Sequence, residues 1–352
     1  MPSSSARRDI VVVGGSAGGL DALSSLLSGL SADFPAAVLI VLHMGASSHL
    51  THILSRRCVL PVMAAATGRP IERGHVYVAM PEKHLLVHDN HLLLRRGPRE
   101  NLARPAIDPL FRTAAASFGG RVIGVLLSGG LSDGTAGLRA IKRCGGLAVV
   151  QEPADAAESS MPEHAIRHVE VDHVCTAAEM PGLLTRLVVQ PAGSTPDIPL
   201  DIRIEAAIAV QEPNDIENVS RLGKLSPFTC PECHGALWEI EDGPMLRYRC
   251  HVGHAFSAED AQAAQNREIQ RMLESVVRAN RERAALVRRM AEKERKGQNA
   301  VLAERLERRA VEYDENARVL GSLLAAADEA AVTNLTSRSN LAANGEEDGE
   351  TT

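Results

Sequence analysis

The sequence contains few aromatic residues and lacks a long apolar run. Phe, Trp and Tyr make up 3% of the 352 residues, and no segment approaches the roughly 20 consecutive apolar residues that cross a bilayer. Residues 1–8 precede a short apolar strand and do not have the layout of a signal peptide. We therefore expect a cytoplasmic protein with no membrane insertion.

The sequence also lacks a surplus of basic residues. Its formal net charge is -6, from 38 Lys and Arg against 44 Asp and Glu. Proteins that bind nucleic acid usually carry a basic surplus or a concentrated basic stripe. We therefore expect no nucleic-acid partner, and the partners have to be inferred from individual sites.

Cysteine is scarce and unevenly placed, which argues against a disulfide framework. Three of the six cysteines are scattered and three cluster near His254. The scattered residues are Cys58, Cys144 and Cys175, and the clustered residues are Cys230, Cys233 and Cys250. This distribution is typical of a reduced compartment and one metal site.

Short β-branched runs alternate with amphipathic stretches over residues 1–188, which predicts an α/β domain with a doubly wound, mostly parallel sheet flanked by helices. The predicted strands are Ile10–Val13, Ala37–Leu42, Val76–Ala79, Leu85–His88, Leu92–Leu94, Arg121–Leu127, Ala148–Val150 and His173–Cys175. The predicted helices are Gly19–Leu30, His49–Arg57, Ile107–Phe118, Asp133–Cys144, Pro162–Arg167 and Ala178–Val188.

The remainder of the chain changes character several times. Pro, Asp, Gln and Ser break every periodicity after the first domain, apart from a brief apolar stretch at Ile202–Val210. Ser257 with Asp260 resembles a capping box, and Gly297 marks a turn between two helices. We predict a linker at 189–225, a small Zn-binding module at 226–256, an α-helical hairpin at 257–332 and a disordered tail at 333–352.

A glycine-rich turn surrounds Ser16. The segment from Asp9 to Leu20 has an apolar strand, glycines at positions 14, 15, 18 and 19, and the start of a helix. Glycine permits such a tight turn, which directs the serine and nearby backbone amides at one point. A phosphate-binding loop is the alternative, but the glycine spacing matches neither the dinucleotide-binding motif nor the P-loop. The turn is therefore consistent with a serine nucleophile beside an oxyanion site.

Two more polar residues follow predicted strands. Ala37–Leu42 runs into His43, and Arg121–Leu127 runs into a glycine-rich segment that contains Asp133. Taken singly, His43 is explained as a structural histidine and Asp133 as an ordinary helix N-cap. With Ser16, however, they follow the carboxyl ends of strands, where open α/β sheets place their sites. The three predict a catalytic triad of nucleophile, base and orienting acid, in a chain order that differs from that of α/β-hydrolases.

Residues 9–187 contain six ordered motifs. They are Gly-Gly-Ser-Ala-Gly-Gly around Ser16, Leu-His-Met around His43, Ile107-Asp-Pro-Leu-Phe-Arg-Thr-Ala-Ala115, Leu-Ser-Gly-Gly-Leu-Ser-Asp-Gly around Asp133, Gln151-Glu-Pro, and Ser160-Met-Pro-Glu-His-Ala165. Together these motifs resemble the catalytic domain of chemotaxis protein-glutamate methylesterases of the CheB type.

The resemblance implies a serine carboxylic-ester hydrolase that acts on γ-glutamyl methyl esters of receptor signalling helices and releases methanol. In some members of the family the same site deamidates glutamine. The resemblance also implies no cofactor for catalysis, a methylated chemoreceptor or other signalling protein as substrate, and methyltransferase or histidine-kinase partners in chemotaxis and two-component signalling.

The chain departs from the family pattern in three places. The family usually has Thr where this chain has Ala17, and Met-Gly where it has Gly130-Leu131. We expect the backbone amides of Ala17 and Gly130 to support an oxyanion, with an altered rate or substrate choice. Only eight residues precede Asp9, so the resemblance is to a stand-alone form without the receiver domain, and repression by phosphorylation in cis is not expected.

The cysteine cluster supplies two ligand pairs, Cys230-Pro-Glu-Cys233 and, sixteen residues later, Cys250-His-Val-Gly-His254. This spacing is typical of a tetrahedral structural Zn²⁺ site with Cys230, Cys233, Cys250 and His254 as ligands and His251 as the substitute for His254. Unpaired buried thiols are the alternative. Similar Cys-Pro-x-Cys and Arg-Cys-His-x-Gly-His elements, followed by a helical tail, resemble those of stand-alone methylesterase relatives.

The predicted helical hairpin carries apolar residues at spacings of three and four on both helices. They are Ile269, Leu273, Val276, Ala284, Val287 and Met290 before Gly297, and Ala303, Leu306, Ala310, Tyr313, Ala317, Leu320 and Leu324 after it. Its many arginines are mixed with glutamates, which is typical of a solvated face. The apolar stripes favour a homodimer through the hairpin, or docking on a helical partner.

Three hypotheses about function remain open. The chain is a methylesterase, a catalytically weak scaffold in two-component or chemotaxis-like signalling, or an esterase of small molecules with the same triad. Ser, His and Asp at three separate strand ends favour an enzyme. Ala17 and Gly130, which differ from the family pattern, are compatible with the scaffold hypothesis.

Overall fold

Seven parallel strands form the central sheet, which confirms the predicted fold class. The computed structural model describes residues 6–43, 49–193, 196–210 and 219–343, with side chains described to residue 325. The strands of the first domain are β1 (Ile10–Gly15), β2 (Ala37–Leu42), β3 (Val62–Ala64), β4 (Val76–Val78), β5 (His84–His88), β6 (His91–Arg95), β7 (Val122–Leu126), β8 (Leu147–Gln151) and β9 (His173–Cys175). The sheet order is β3-β4-β2-β1-β7-β8-β9, and β5 pairs with β6 as a separate hairpin.

Helices cover both faces of the sheet, which explains why its strands are almost continuous apolar runs. The helices are α1 (Gly19–Ser28), α2 (Leu50–Ser55), α3 (Ile107–Phe118), α4 (Thr135–Arg143), α5 (Ser160–His168) and α6 (Met180–Val188). Val12 of β1 packs in the core formed with α3, α4 and α5. Its neighbours Val11 and Val13 pack on the opposite face, with α1, α2 and α6, as the alternation of side chains along a strand requires.

The segment predicted as a linker contains a buried helix, α7 (Leu200–Val210). Ile202 joins the core of the sheet, whereas Ile204 and Ile208 pack with Trp238 in a separate cluster. Because the helix is covered from two directions, its apolar residues form no single stripe of the kind that marks an exposed amphipathic helix. Residues 211–218 of the predicted linker lie outside the described part of the chain.

The cysteine-rich segment is a small antiparallel sheet. Its strands are β10 (Lys224–Thr229), β11 (Ala236–Asp242), β12 (Met245–Cys250) and β13 (Ala255–Ser257), paired in that order. Leu237, Tyr248 and Phe256 are buried in its core. This sheet belongs to the same compact unit as the parallel sheet, which runs to Ala264.

Two long helices follow, α8 (Ala258–Lys296) and α9 (Ala300–Ala343), and the second compact unit begins at Gln265. The hydroxyl of Ser257 accepts a hydrogen bond from the backbone N–H of Asp260 at 3.0 Å, as a capping residue does. Helix α9 includes residues 333–343, which were expected to be disordered, and residues 344–352 lie outside the described chain. None of the described helices is both long and apolar enough to cross a membrane.

Small residues form the buried seam of the helical hairpin. The buried residues recur every seven positions and are Val277, Ala284 and Ala291 on α8 and Ala303, Ala310 and Ala317 on α9. The four alanines at positions 284, 303, 310 and 317 belong to the predicted stripes, whereas Ile269, Val276 and Met290 of the same stripes are exposed. Alanine lets two helix backbones approach closely, so the seam passes through the smaller residues.

Candidate functional site

The register of the central strands places the predicted triad at one edge of the sheet. Gly15, the last residue of β1, pairs with Leu42, the last residue of β2. Ser16 and His43 therefore follow neighbouring strand ends. Strand β7 pairs with the other side of β1, and Asp133 follows β7 in the chain. This is the carboxyl edge, where parallel sheets place their sites.

The turn that carries Ser16 is fixed by Ser128. The backbone N–H of Ser16 donates to the carbonyl of Ser128 at 2.9 Å, and the hydroxyl of Ser128 donates to the carbonyl of Ala17 at 2.7 Å. Gly18 precedes α1 with a φ of 72°, a conformation that favours glycine. A Cβ atom on Gly129 would lie 2.8 Å from the Cβ of Ser16. Glycine at position 129 thus permits the close approach of two chain segments.

His43 and Asp133 are joined by a hydrogen bond of 2.8 Å between the imidazole Nε2 and the carboxylate Oδ2. The side chain of Asp133 is 2% exposed and that of His43 is 19% exposed, so the imidazole lies between a buried acid and the surface. Because Nε2 contacts the acid, Nδ1 is the ring nitrogen that remains for a serine. Among the described residues no hydrogen bond joins the Ser16 hydroxyl to His43, and bonds of this kind tighten when substrate binds.

Asp133 accepts four further hydrogen bonds from the protein. The donors are the backbone N–H groups of Ile107 (2.6 Å), Asp108 (3.2 Å) and Gly134 (3.0 Å) and the side-chain amide of Asn101 (2.9 Å). Burial by itself raises the pKa of Asp133. The hydrogen bond and charge of His43, with the bonds from Ile107 and Asn101, outweigh burial and hold that pKa below its ordinary value. Asp133 is therefore an ionised acceptor for the imidazole.

Asp108 lies beside Asp133 and has the opposite shift. Burial and then the charge of Asp133 raise the pKa of Asp108 to about 7. Its carboxylate oxygens accept from the backbone N–H of Gly137 at 2.6 Å and from the amide of Asn101 at 2.7 Å. The two buried carboxyl groups thus share one amide donor. Neither Asn101 nor the pairing of the two acids was predicted, although Asp108 belongs to a motif that was singled out.

The two residues expected to support an oxyanion have available backbone N–H groups. Neither the N–H of Ala17 nor that of Gly130 donates a hydrogen bond within the described part of the chain. The N–H groups of their neighbours Ser16 and Gly129 already donate to backbone carbonyls. These two unused donors directly follow Ser16 and Gly129, whose chain segments approach closely, and they are the candidates for an oxyanion site.

The four predicted zinc ligands lie together in the small antiparallel sheet. The ligand atoms of Cys230, Cys233, Cys250 and His254 are all within 4.8 Å of one another. The sulfur atoms of Cys233 and Cys250 are 3.7 Å apart, and Cys250 Sγ is 3.4 Å from His254 Nδ1. Tetrahedral zinc with Zn–S bonds of about 2.3 Å separates its sulfur ligands by about 3.8 Å. The spacing and the donor set therefore fit a zinc ion.

His251, the alternative ligand, lies away from this cluster. Its ring contacts Trp238, with ring centroids 3.8 Å apart. Within the cluster, the hydrogen bond from Cys230 and then that of His254 act against burial and lower the pKa of Cys250. The same hydrogen bond and burial raise the pKa of Cys230. The thiolate, which is the form of cysteine that binds metals, is therefore favoured at Cys250.

Buried charged residues connect the small sheet to α3 and α7. Glu100 accepts from Arg112 of α3 at 2.6 Å and from Arg249 of β12 at 3.0 Å. Glu205 of α7 also accepts from Arg249, at 3.2 Å. All four residues are buried. None of them was predicted, because a buried charge in a sequence looks like a surface charge until its partners are known.

A family model described as CheB methylesterase matches residues 11–184. The match contains Ser16, His43 and Asp133 and ends before the cysteine cluster. A solved structure, the catalytic domain of Thermotoga maritima CheB methylesterase, has 30% sequence identity and a TM-score of 0.50. The similarity covers 52% of this chain and 100% of that structure.

Curated relatives match the same half of the chain. A relative from Leptospira interrogans is 40% identical over 182 residues, which are 51% of this chain and 94% of the relative. Anaeromyxobacter dehalogenans protein-glutamate methylesterase/protein-glutamine glutaminase 2 is 37% identical over 188 residues, which are 53% of this chain and 55% of that protein. The Leptospira relative is named "Putative protein-glutamate methylesterase/protein-glutamine glutaminase".

Proposed function

Because this chain belongs to the CheB methylesterase family, we propose that it hydrolyses γ-glutamyl methyl esters on a methylated chemoreceptor or another signalling protein. Ser16, His43 and Asp133 form the catalytic triad of the proposal. The observation that supports it best is the contact between His43 and the buried, ionised Asp133 at the sheet edge that carries Ser16. The name of the relatives adds glutamine deamidation, which is the same acyl transfer with ammonia as the leaving group.

The proposed reaction has two acyl-transfer steps. His43 takes the hydroxyl proton of Ser16 through Nδ1 while the serine oxygen attacks the γ-carbonyl carbon. The backbone N–H groups of Ala17 and Gly130 donate to the resulting oxyanion. The bond to the methoxy group then breaks, and the proton from His43 leaves with it as methanol.

Water completes the cycle. His43 removes one proton from a water molecule, which attacks the acyl-serine, and that proton returns to Ser16 as the bond to the acyl group breaks. The γ-carboxyl group that forms keeps the second proton of the water and loses it to solvent. Asp133 remains ionised throughout and stabilises the imidazolium that forms twice per turnover. This chemistry uses only side chains and backbone amides, so the proposal includes no cofactor for catalysis.

We assign Cys230, Cys233, Cys250 and His254 to a structural zinc ion. Four protein ligands complete a tetrahedral site and leave no position for a catalytic water. When bound, the ion would close a sheet whose own apolar core is small. All six cysteines are free, which fits a reducing, cytoplasmic location.

The helical hairpin provides a surface for partners. Ile269 is 56%, Met272 57% and Val276 46% exposed, and their spacing of three and four positions places them side by side on α8 as a contiguous apolar stripe. This surface suits a second copy of the chain or a helical partner such as a receptor, a methyltransferase or a histidine kinase. The same observation favours the second candidate function, a scaffold that binds signalling proteins and has little esterase activity.

Release of methanol from a methylated receptor signalling fragment tests the proposal. We expect release by the wild-type full-length chain and none by Ser16→Ala, with equal folding by circular dichroism. Equal inactivity of two folded proteins would contradict the esterase proposal. Retained binding of the fragment by both inactive proteins would then support the scaffold.

A further inference from the structure

Asn101 bonds three separate groups around the acid of the candidate triad. Its side-chain amide donates to Asp133 Oδ1 at 2.9 Å and to Asp108 Oδ2 at 2.7 Å. Its side-chain oxygen accepts the backbone N–H of Ser257 at 3.2 Å. Asn101 is buried, so these bonds replace water entirely. Both polar atoms of the Asn101 side chain therefore form hydrogen bonds within the protein.

Backbone contacts with Ala255 also hold Asn101 in place. The N–H of Asn101 donates to the carbonyl of Ala255 at 2.8 Å, and Glu100 forms a parallel bridge with Ala255. Asn101 has a φ of 47°, in the left-handed region that asparagine tolerates better than most residues. Strand β13 and the residue that caps α8 therefore determine where the amide of Asn101 lies.

The neighbouring Ser132 makes a second contact with the same segment. Its hydroxyl is 2.7 Å from the hydroxyl of Ser257 and also bonds the carboxyl of Asp260. Burial raises the pKa of Asp260 to about 6, so this carboxyl is easily protonated in place. Residues 255–260 thus hold both Ser132, which precedes Asp133, and Asn101, whose amide donates to Asp133.

Buried ion pairs also connect β12 and α3 to Glu100, the residue before Asn101. Arg249 of β12 donates to Glu100, the residue before Asn101, at 3.0 Å. Arg112 donates to the same carboxylate at 2.6 Å, and it lies on α3, whose first N–H groups donate to Asp133. Breaking a buried ion pair is strongly unfavourable, so β12, α3 and Asn101 form a rigid support.

We propose that Asn101 is a positioning residue of the esterase, through which strand β13 and the first turn of α8 hold the Asp133 carboxylate in place for His43. The proposal rests on the proposed function and adds a dependence of that site on the zinc-binding sheet. The alternative is that Asn101 only joins two parts of the fold. In that case its loss lowers stability without changing the turnover of the folded protein.

The test compares three variants in the full-length chain. Asn101→Asp keeps the shape of the side chain and removes the amide donor, and Asn101→Gly removes the side chain while tolerating the left-handed backbone. Asn90→Asp is the matched control, because Asn90 is exposed and also has a positive φ, of 60°. For each we measure kcat and KM for methanol release well below its melting temperature, and the downfield proton resonance of the His43–Asp133 hydrogen bond.

We expect both Asn101 variants to lower kcat about 10²-fold, with KM changed less than about twofold, since a misplaced catalytic group affects the reaction more than binding. The proton resonance shifts or broadens in the same variants, and Asn90→Asp matches the wild type. Unchanged kcat and an unchanged resonance in folded Asn101 variants would overturn the proposal. A wild type that releases no methanol, with a resonance that still responds to Asn101→Asp, would contradict the substrate and support the positioning role.

Discussion

The hydroxyl groups of Ser132 and Ser257 lie 2.7 Å apart, although 125 positions separate them in the chain. Ser132 directly precedes Asp133, and Ser257 caps the helix that follows the small antiparallel sheet. Residues of that sheet therefore lie against the chain that presents the acid of the proposed triad. A module that looks independent in the sequence is packed against the edge of the parallel sheet where the proposed triad lies.

Replacing the acid of the triad tests its role as an orienting group. In Asp133→Asn one carboxylate oxygen becomes an NH2 group, which would face the N–H donor of Ile107 at the Oδ2 position or that of Asp108 at the Oδ1 position. The His43 ring would also lose its ionised partner. We expect kcat to fall about 10⁴-fold, as expected when an imidazole is held in the wrong tautomer. The assay is methanol release, with Asp89→Asn at an exposed position as the control. A loss of less than tenfold would show that the imidazole does not depend on this acid.

Gly129→Ala tests the close approach at the nucleophile. The added methyl group would lie 2.8 Å from Ser16 Cβ and 2.7 Å from Met161 Cε, so the turn must shift. We expect a loss of kcat of about 10²-fold, because displacement of a nucleophile by about 1 Å has effects of that size. Gly193→Ala is the control, since a Cβ there meets no atom within 4 Å. Wild-type kcat in a folded Gly129→Ala protein would contradict the described packing.

The zinc assignment predicts a metal content that depends on one sulfur. We expect about one zinc ion per chain in the wild type and a lower melting temperature with little zinc in Cys250→Ser. Cys58→Ser makes the same chemical change outside the cluster, and this control should keep its zinc. Metal content is measured by plasma mass spectrometry and unfolding by circular dichroism. Equal zinc in the wild type and in Cys250→Ser would exclude the site.

The buried carboxylates predict how stability depends on pH. Burial raises the pKa of Glu205, but the charges of Arg112, Arg247 and Arg249 outweigh it and lower the pKa to about 2. Because the pKa in the folded protein is below the ordinary value of 4.5, the stabilisation is fully present above pH 4.5 and is lost as the pH falls towards 2.

Urea unfolding at a series of pH values measures this dependence. We expect Glu205→Gln to lower the free energy of unfolding by about 3 kcal/mol above pH 5, since it breaks a buried ion pair. The difference from the wild type shrinks as the pH falls below 4.5. The exposed Glu170→Gln is the control. A difference that stays constant with pH would show that folding does not lower the pKa of Glu205.

The position of Ser16, His43 and Asp133 at one edge of the sheet was predictable because its signals are local. Ser16 and His43 each directly follow an apolar strand, and Asp133 lies in a glycine-rich turn. Parallel strands bring such positions together whatever lies elsewhere in the chain. The same holds for the cysteine pairs, whose spacing by itself indicates a metal site.

The supports of the site were not predictable in this way. Asn101 acquires its role only when Ala255 and Ser257 are packed against it, and nothing near Asn101 in the sequence indicates that contact. Strand β3 has three residues, none fully buried, so it leaves no clear apolar pattern. In the hairpin, the predicted stripes contain the alanines that form the seam and also larger residues that are exposed, because close packing between helices favours small side chains.

Covalent labelling identifies the nucleophile most directly. A fluorophosphonate reacts with a serine that is activated by a neighbouring base and held beside an oxyanion site. After incubation with the full-length chain, mass spectrometry of its peptides should locate one phosphonyl group on Ser16, with labelling lost in His43→Gln and strongly slowed in Asp133→Asn. A label on another residue, or an unlabelled Ser16 in a chain that releases methanol, would contradict the triad.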